Sequence, residues 1–396
     1  MGTFLDLIKY NLTPIQKGRW LFTSFQGRYS DSPKALSEKL HEIQPSAEIV
    51  WLVKKEYLPL LPDYVTGVDI QSPAAKKYRA SAQIVMDNIY AERGYTVHGN
   101  SFSVKVKSKI LQFFYKRKKQ KIYTTWHGTP LKRMGRDQIG NNVTNFICGK
   151  MTGIFGNRFT ADVLQRMTFD KMQTRLLGTP RNDILFSARD VKALKERLGL
   201  PADKKIILFA PTFRSDGKDV QGKNIQRSGL NQLQEMNVDR LLNGLKDKFG
   251  GDWALVCRFH YHVDAMVDWK QIHEKYQGKI INGNAHDDMS EYLACTDVLM
   301  TDASSAMFDF SLTKRPCFLY FPDLEYYENK ERGFYMPISS LPYPLATDFA
   351  GVLQQIHEYD EQKYIEKVNK QLDDFGYVDD ENSSQRIIEF ILEELQ

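Results

Sequence analysis

The sequence is poor in cysteine and contains no long apolar run, and these absences exclude several classes of protein. Four of the 396 residues are cysteine, and no two form a C-x-x-C pair. This spacing argues against a zinc site or a disulfide framework and predicts reduced, buried cysteines in a cytosolic protein. No segment reaches the ~18 apolar residues of a membrane-spanning helix, and the N-terminal stretch has no signal-peptide core. The pattern G-x-x-x-x-G-K-[ST] is also absent, which excludes a Walker-type phosphate loop.

Charge is distributed unevenly along the chain. Residues 1–150 contain 24 Lys and Arg against 11 Asp and Glu, a net charge of +13. The remaining residues contain 30 against 38, a net charge of −8, so the whole chain carries +5. A basic first half predicts an acidic partner there, such as nucleic acid, anionic lipid or a phosphorylated substrate.

Short apolar segments alternate with loops and helical patterns twice along the chain. The first series opens with a predicted strand at Leu21–Phe25, and the second opens with one at Lys205–Ala210. This alternation is typical of parallel sheets with crossover helices, so it predicts an α/β fold with two domains. We place the domains at residues 1–188 and 189–396, and we expect an amphipathic helix at Ser383–Gln396 to end the second.

Residues 122–136 combine a strand, a break and a group of cations. Ile122–Thr125 is predicted to be a strand that Gly128 and Pro130 bring to an end, so His127 falls just after its carboxyl end. Ligands bind at that edge of open α/β sheets, and a histidine beside cations suits an anionic substrate. A turn with a capping histidine and solvated charges explains the same pattern, and the spacing leaves both interpretations open. The cations that follow are Lys132, Arg133 and Arg136.

A second polar group lies where a predicted strand passes into a helix, at Thr301–Asp309. Small hydroxylated residues there put hydroxyls and backbone N–H groups at one point, and the helix dipole favours phosphate. An ordinary N-cap by Asp302 or Ser304 is the alternative.

Two more groups follow strand ends in the second half. Arg258 and His260 project to one face of an extended backbone, and His262 repeats their phase. Arg332 precedes Gly333 in a loop after a later strand. Together with His127, these residues predict an anion site at strand ends.

Residues 105–121 hold eight Lys and Arg together with bulky apolar residues. This composition favours either contact with an anionic membrane surface or a surface helix with solvated lysines. Nucleic-acid binding fits less well, because the aromatic residues and lysines do not interleave as on a stacking platform.

These motifs, taken in order over residues 20–340, closely resemble the CDP-glycerol glycerophosphotransferase family, which includes the teichoic acid primases and polymerases of Gram-positive bacteria and relatives in capsule synthesis. The resemblance implies a GT-B fold of two Rossmann-like domains facing across a cleft. The N-terminal domain would bind the acceptor and face the membrane, and the C-terminal domain would bind the CDP-polyol. The matching segments are Ser24–Gly27 with Ser30–Pro33, Trp126–Lys132, Gly178–Asp183, Ala210–Arg214, Arg258–His260, Thr301–Ser305 and Arg332–Tyr335.

The sequence departs from the family pattern at a few positions. The family usually has tyrosine where this chain has Thr179 or Ala303, and often proline where it has Tyr261. The long N-terminal extension typical of the polymerases is absent, which favours a primase-like enzyme. The open alternatives are a CDP-ribitol or capsule polyol-phosphate transferase, a UDP-sugar glycosyltransferase of the GT-B class, and a non-catalytic membrane-binding protein.

The resemblance implies transfer of glycerol phosphate from CDP-glycerol to a hydroxyl of a lipid-linked acceptor on undecaprenyl pyrophosphate, with release of CMP. His127 is then the candidate general base, and His260 would bind the pyrophosphate or assist the leaving phosphate. The residues expected to hold phosphate or nucleotide are Arg214, Arg258, Thr301, Asp302, Ser304, Ser305 and Arg332. Those expected on the acceptor side are Trp126, Gly128, Lys132, Arg181 and Asp183. Those expected at the membrane are Lys116, Arg117, Lys118 and Lys119.

The predicted chemistry requires no metal, because cations and a helix end can carry the phosphate charge. Asp287 and Asp288 offer oxygen ligands for Mg²⁺, but capping of the next helix is the favoured interpretation. We expect a peripheral protein at the cytoplasmic face of the cell membrane, without a nucleic-acid partner.

Overall fold

A computed structural model describes residues 4–89, 96–99, 101–117, 119–137, 145–147, 151–167, 172–213, 228–330 and 333–396. The chain divides into two units that alternate along the sequence. The first comprises Met1–Thr129, Met134–Asp183 and Phe375–Gln396, and the second comprises Pro130–Arg133 and Ile184–Asp374.

The main sheet of the first unit is built from parallel strands. The described strands of this unit are β1 (Gln16–Thr23), β2 (Glu48–Val53), β3 (Thr66–Asp69), β4 (Ala82–Asp87), β5 (Thr96–His98), β6 (Lys121–Thr124), β7 (Asn145–Ile147), β8 (Met151–Phe155) and β9 (Gln173–Leu176). The central strands β2 and β4 are buried along nearly their whole length, as expected where helices cover both faces, whereas the outer strands β3 and β9 are more polar and exposed. The parallel order is β3-β2-β1-β4-β6-β8-β9, while β5 and β7 form a separate antiparallel pair.

The helices of the first unit include one from the far end of the chain. They are α1 (Phe4–Leu12), α2 (Asp31–Ile43), α3 (Pro73–Ser81), α4 (Phe102–Arg117), α5 (Arg158–Met167) and α17 (Ser383–Glu393). Ile387, Ile388 and Ile391 of α17 are fully buried in one core with Trp20 and Trp51. The predicted amphipathic helix therefore exists, but its apolar face completes the first unit rather than a domain of residues 189–396.

A half-buried carboxylate fixes this helix to the first unit. The backbone N–H groups of Ser383 and Ser384 donate to the two oxygens of Asp183, at 3.1 and 2.8 Å. Burial raises the pKa of Asp183 and outweighs these hydrogen bonds, which lower it. We predicted Asp183 on the acceptor side, whereas its carboxylate caps the N-terminus of α17, where a negative charge is favourable.

The second unit also has a parallel sheet, and its strand at Lys205–Ala210 has the predicted bounds. Its strands are β10 (Lys205–Ala210), β11 (Trp253–Cys257), β12 (Ile280–Asn282), β13 (Val298–Thr301), β14 (Cys317–Tyr320) and β15 (Leu345–Ala346), in the order β12-β11-β10-β13-β14-β15. The α/β prediction with two parallel sheets is confirmed. The last strand, β15, was not predicted because it has only two residues.

Helices pack around this second sheet. They are α6 (Asp183–Ser187), α7 (Val191–Arg197), α8 (Ser228–Glu235), α9 (Val238–Phe249), α10 (Tyr261–Asp264), α11 (Trp269–Lys275), α12 (Met289–Cys295), α13 (Ala306–Ser311), α14 (Leu324–Lys330), α15 (Phe349–Glu358) and α16 (Glu361–Phe375). None of the described helices is both long and apolar enough to cross a lipid bilayer.

A short segment carries the chain into the second unit early in the sequence. Residues 130–133 pair with 333–335, through hydrogen bonds from Tyr335 N to Leu131 O at 2.9 Å and from Arg133 N to Gly333 O at 3.0 Å. The ammonium group of Lys132 lies 5.4 Å from the ring centre of Tyr327. The motif around His127 thus continues into the second unit, so Lys132 does not belong to the unit assigned to the acceptor.

Candidate active site

His127 lies at the carboxyl edge of the first sheet, as predicted. It follows β6 after a sharp turn in which Trp126 takes a left-handed conformation, with φ of 55°. Gly128 follows with φ of 140°, a conformation that side chains rarely adopt. A bulky residue such as tryptophan in the left-handed region stores strain, and strain of this kind is concentrated at functional sites.

A backbone carbonyl orients the imidazole of His127. Its Nδ1 lies 2.9 Å from the carbonyl oxygen of Asn88, which can only accept a hydrogen bond. Nδ1 therefore carries the proton, and the lone pair of the neutral ring resides on Nε2. Asn88 is itself buried and donates from Nδ2 to Ser24 Oγ at 3.2 Å.

The surroundings of His127 keep it neutral at physiological pH. The residue is exposed to solvent, yet protein atoms crowd the ring, including the indole of Trp126 at 4.0 Å between ring centres. This crowding removes water and lowers the pKa of His127 below its ordinary 6.5, against the opposing effects of the Asn88 carbonyl and Asp31. A neutral imidazole with its lone pair on Nε2 has the form that a general base needs.

A partly buried ion pair contributes to the electrostatics of His127. Arg181 donates from Nη1 to both carboxylate oxygens of Asp31, at 3.0 and 3.2 Å. Asp31 has φ of 66°, a second strained residue whose charge acts on His127. Arg181 is thus beside the predicted site, but its guanidinium pairs with Asp31.

The C-terminal part of the chain braces the loop after His127. Thr129 Oγ1 shares a hydrogen bond of 2.8 Å with the hydroxyl of Tyr377 and accepts another from Asn157 Nδ2 at 2.9 Å. The carboxylate oxygen Oδ1 of Asp379 accepts from the backbone N–H of Thr179 at 3.0 Å. These side chains hold the first unit's strand-end loops together from residues distant in sequence.

His260 lies at the carboxyl edge of the second sheet. It follows β11 by three residues, and its carbonyl accepts from Val263 N at 2.8 Å and Asp264 N at 2.9 Å. Its half-buried ring stacks on Phe213, with 4.9 Å between centres and 25° between planes. His262, the other histidine in phase, lies in α10, and its side chain is outside the described part.

The guanidinium of Arg258 donates hydrogen bonds to backbone carbonyls of the protein. It donates to the carbonyls of Gly283, His286 and Asp287, the last two at 2.6 Å, and lies 5.0 Å from the ring centre of Tyr292. We predicted a phosphate ligand, but the group is committed to three acceptors in one loop. The residue therefore orders that loop, and extended-strand periodicity alone did not reveal these partners.

Thr301 and Asp302 also differ from their predicted role. Both are fully buried. Thr301 donates from Oγ1 to the carbonyl of Ala210 at 2.6 Å, and Thr212 N donates to Asp302 Oδ1 at 2.8 Å. They join the ends of β10 and β13 instead of presenting hydroxyl or carboxylate groups to a ligand.

Ser304 and Ser305 remain accessible beside these buried residues. Both are half-buried, and Ser305 occupies the N-cap position of α13. The helix they precede has only six residues, so its dipole is a smaller contribution than the sequence suggested.

Other predicted residues lie outside the described part of the chain. These are Arg214, Arg332 and Lys118, together with the side chains of Lys116 and Arg117. Their predicted roles rest on the sequence alone.

Acidic and sulfur-containing groups do not form a metal-type cluster within the described residues. Asp288 takes the predicted N-cap position of α12, but its side chain accepts no capping hydrogen bond from that helix. Cys257, Cys295 and Cys317 are buried as free thiols, and burial raises the pKa of each. Cys148 is not among the described residues.

Sequence reasoning missed several residues around the two histidines. Asn88 bonds the His127 ring through its carbonyl, and Asn284 bonds the backbone of Phe259 beside His260. Tyr377 and Asp379 brace loops of the first unit. Asn88 and Asn284 follow strands at the same sheet edges as His127 and His260. A polar residue just past a strand end was therefore an available signal, whereas the braces at 377 and 379 had none.

Comparison with known proteins places the chain in a family. Residues 7–393 match the family model described as CDP-Glycerol:Poly(glycerophosphate) glycerophosphotransferase. The chain is 30% identical over 398 residues to a teichoic acid poly(glycerol phosphate) polymerase of Staphylococcus epidermidis, covering 95% of this chain and 50% of that protein. It is 29% identical over 392 residues to a teichoic acid glycerol-phosphate transferase of Staphylococcus aureus, covering 93% and 92%.

A solved structure supports the same relationship. The wall teichoic acid polymerase TagF matches with a TM-score of 0.75 and 27% identity, over 98% of this chain and 93% of that one. The described chain therefore has an α/β fold of the GT-B type with two parallel sheets. The chain belongs to the CDP-glycerol:poly(glycerophosphate) glycerophosphotransferase family, as its motifs predicted.

Proposed function

We propose that this protein transfers glycerol phosphate from CDP-glycerol to a hydroxyl of a lipid-linked acceptor, in the synthesis of wall teichoic acid or a related polymer. The family supports the donor, since its description names CDP-glycerol. The observation that carries the proposal is the orientation of His127, with Nδ1 held by Asn88 O at 2.9 Å and Nε2 left to accept a proton.

The proposed reaction is an in-line displacement at phosphorus. The acceptor hydroxyl oxygen attacks the β-phosphorus of CDP-glycerol, and Nε2 of His127 takes the hydroxyl proton. The bond from the β-phosphorus to the bridging oxygen breaks, and CMP leaves with the electron pair of that bond. Positioning of the nucleophile and stabilisation of developing phosphate charge supply most of the catalysis in such transfers.

The second unit supplies the proposed donor site. His260 donates a hydrogen bond to the pyrophosphate or to the leaving phosphate. Ser304 and Ser305 offer hydroxyls at the same sheet edge, and Arg214 and Arg332 supply positive charge. The proposed step needs no resident metal, because these groups carry the phosphate charge.

Donor choice tests this function against its rivals. The purified protein is incubated with a synthetic lipid-linked disaccharide and, separately, with labelled CDP-glycerol, CDP-ribitol or UDP-sugars. We expect CMP release and an acceptor lengthened by glycerol phosphate, and product sizing shows whether one or many units are added. Turnover of a UDP-sugar without CMP release from either CDP-polyol would establish the glycosyltransferase instead, and no turnover at all would favour a binding protein.

The lowered pKa of His127 predicts the pH dependence of the reaction. Because the base must be neutral, kcat/KM is expected to be level above pH 7 and to fall as pH drops through a pKa below 6.5. Well below that pKa, kcat/KM falls about tenfold for each unit of pH, because protonation of a single group removes the base. The measurement is kcat/KM for CDP-glycerol between pH 5 and pH 8, with acceptor saturating. An acid limb centred above 6.5 would contradict the proposed environment of His127.

The exposed face of α4 supports a membrane partner. Its outward side bears an apolar stripe at helical spacing, in which Phe102 is 82% and Phe113 is 53% exposed. Ser108 and Leu111, on the opposite side of the helix, are buried against the protein. The stripe residues are Phe102, Val106, Ile110 and Phe113, and the exposed lysines beside them are Lys105, Lys107 and Lys109.

An apolar stripe flanked by lysines fits the interface of an anionic bilayer, where the rings enter the acyl boundary and the ammonium groups meet headgroups. We therefore place the protein peripherally at the cytoplasmic face of the cell membrane, with α4 as the contact. The lipid-linked acceptor, carried on undecaprenyl pyrophosphate, lies in the same membrane.

Replacing the two exposed rings tests this contact. Phe102→Ser combined with Phe113→Ser is expected to weaken binding to phosphatidylglycerol vesicles at least about tenfold, since burial of each ring in the interface is lost. Sedimentation with vesicles measures the effect. Leu60→Ser is the matched control, because Leu60 is 65% exposed on a different element. Unchanged binding of the double variant would remove α4 from the proposed membrane surface.

A further inference from the structure

The parallel pairing of β11 and β12 is continued past the end of β12 by a side chain from the loop that follows. The strands β11 and β12 run parallel up to the pair Cys257 and Asn282. One more main-chain bond follows, from Gly283 N to Cys257 O at 2.8 Å. A Cβ atom at Gly283 would lie 2.8 Å from Val256 Cγ1 and 3.0 Å from that same carbonyl, so only glycine allows this approach.

Beyond Gly283, the carboxamide of Asn284 makes the hydrogen bonds to the backbone that a neighbouring strand would otherwise make. Its Oδ1 accepts from Phe259 N at 2.9 Å, and its Nδ2 donates to Phe259 O at 2.6 Å. The backbone N–H and C=O of Phe259 are therefore both hydrogen-bonded to the side chain of Asn284. Asn284 is itself anchored, because its backbone N–H donates to Asn282 Oδ1 at 2.7 Å.

The residue held in this way directly precedes His260. The ring of Phe259 is fixed as well, lying 5.8 Å from Trp269 and 6.3 Å from Phe209 between ring centres. On the other side of His260, its carbonyl starts α10. The backbone of His260 is thus fixed on both sides, and the clamp before it depends on a single amide.

We propose that Asn284 is a positioning residue for glycerophosphate transfer, which sets the orientation of the His260 imidazole by clamping the backbone of Phe259. This inference rests on the proposed role of His260 at the leaving phosphate. Loss of the clamp lets the chain at Phe259 rotate, and the imidazole then samples orientations that do not meet the developing charge. Misplacement of a catalytic group by about 1 Å can cost about 100-fold in rate.

Two variants of Asn284 test the proposal. Asn284→Ala removes both bonds, while Asn284→Asp keeps an acceptor for Phe259 N but sets a carboxylate against Phe259 O. We expect each to lower kcat at least about tenfold, with KM for CDP-glycerol changed less than about threefold. The matched control is Asn243→Ala, at an exposed position on α9, which should keep kcat within about twofold of the original protein. Rates are normalised to the folded fraction from circular dichroism.

A spectroscopic arm separates this proposal from the proposed function. The His260 ring resonance is identified by its loss in His260→Ala, using protein with labelled histidine. Asn284→Ala is expected to shift that resonance, and Asn243→Ala is not. An unmoved resonance, or a kcat per folded molecule equal to that of the control, would overturn the positioning role. If the original protein does not turn over CDP-glycerol, the proposed function fails, and the resonance alone decides whether Asn284 sets the His260 ring.

Discussion

His127→Ala is expected to lower kcat for glycerophosphate transfer about 100-fold to 10,000-fold, the range that a general base contributes. The Nε2 lone pair is the only group of this side chain that the proposed step uses, and the alanine variant has no substitute for it. KM for CDP-glycerol should change little, because the proposed donor contacts come from the second unit. The rate of CMP release under saturating donor and acceptor measures the effect.

The matched control for this variant is His357→Ala, at an exposed histidine in the last turn of α15. Its kcat should remain within about twofold of the original rate. Residual kcat of His127→Ala above about one tenth of the original would show that His127 is not the base. The pH profile then assigns the proton: if His127 is the base, the acid limb disappears in His127→Ala and persists in His260→Ala.

Ile388→Ala is expected to lower the free energy of unfolding of the first unit by about 2–5 kcal/mol, since it leaves a cavity in a packed core. Ile388 is fully buried against a cluster that includes Trp20 and Trp51, on strands β1 and β2. The loss should appear as faster amide hydrogen exchange in peptides of these strands, read out by mass spectrometry.

Exchange in peptides of β10 and β11 serves as the internal reference for this experiment. If α17 instead completed a domain of residues 189–396, the protection lost would be in those strands. Glu389→Ala, on the exposed side of the same helix, controls for changes in helix propensity and should leave exchange in β1 and β2 unchanged.

The sequence identified the family and part of the secondary structure, although the first strand, predicted at Leu21–Phe25, lies at Gln16–Thr23. The strand Lys205–Ala210 was predicted with its observed bounds, because a continuous apolar run defines it locally. His127 and His260 lie after strand ends, where they were predicted, because parallel strands present their carboxyl ends at one edge of a sheet.

Partners of individual side chains could not be read from spacing. A strand pattern predicts the face of the sheet on which the Arg258 side chain lies. It does not reveal the three carbonyls that accept from this side chain, because they belong to a loop some 25–29 residues later. Asp183 finds its partners 200 and 201 residues away. The same applies to α17, since an amphipathic face shows that a helix is buried without indicating which core it completes.

The alternation of the two units along the chain imposes an order on folding during synthesis. A polypeptide emerges from the ribosome N-terminus first, and domains generally fold as they emerge. Here the first unit requires Ile387, Ile388 and Ile391, which are made only after the whole of the second unit. The six-stranded sheet of the second unit can therefore be complete before α17 has been synthesised. Until then, the apolar face of α2 and its neighbours in the first unit stays uncovered. This earlier-made half is the part of the nascent protein that needs protection from aggregation for the longest time.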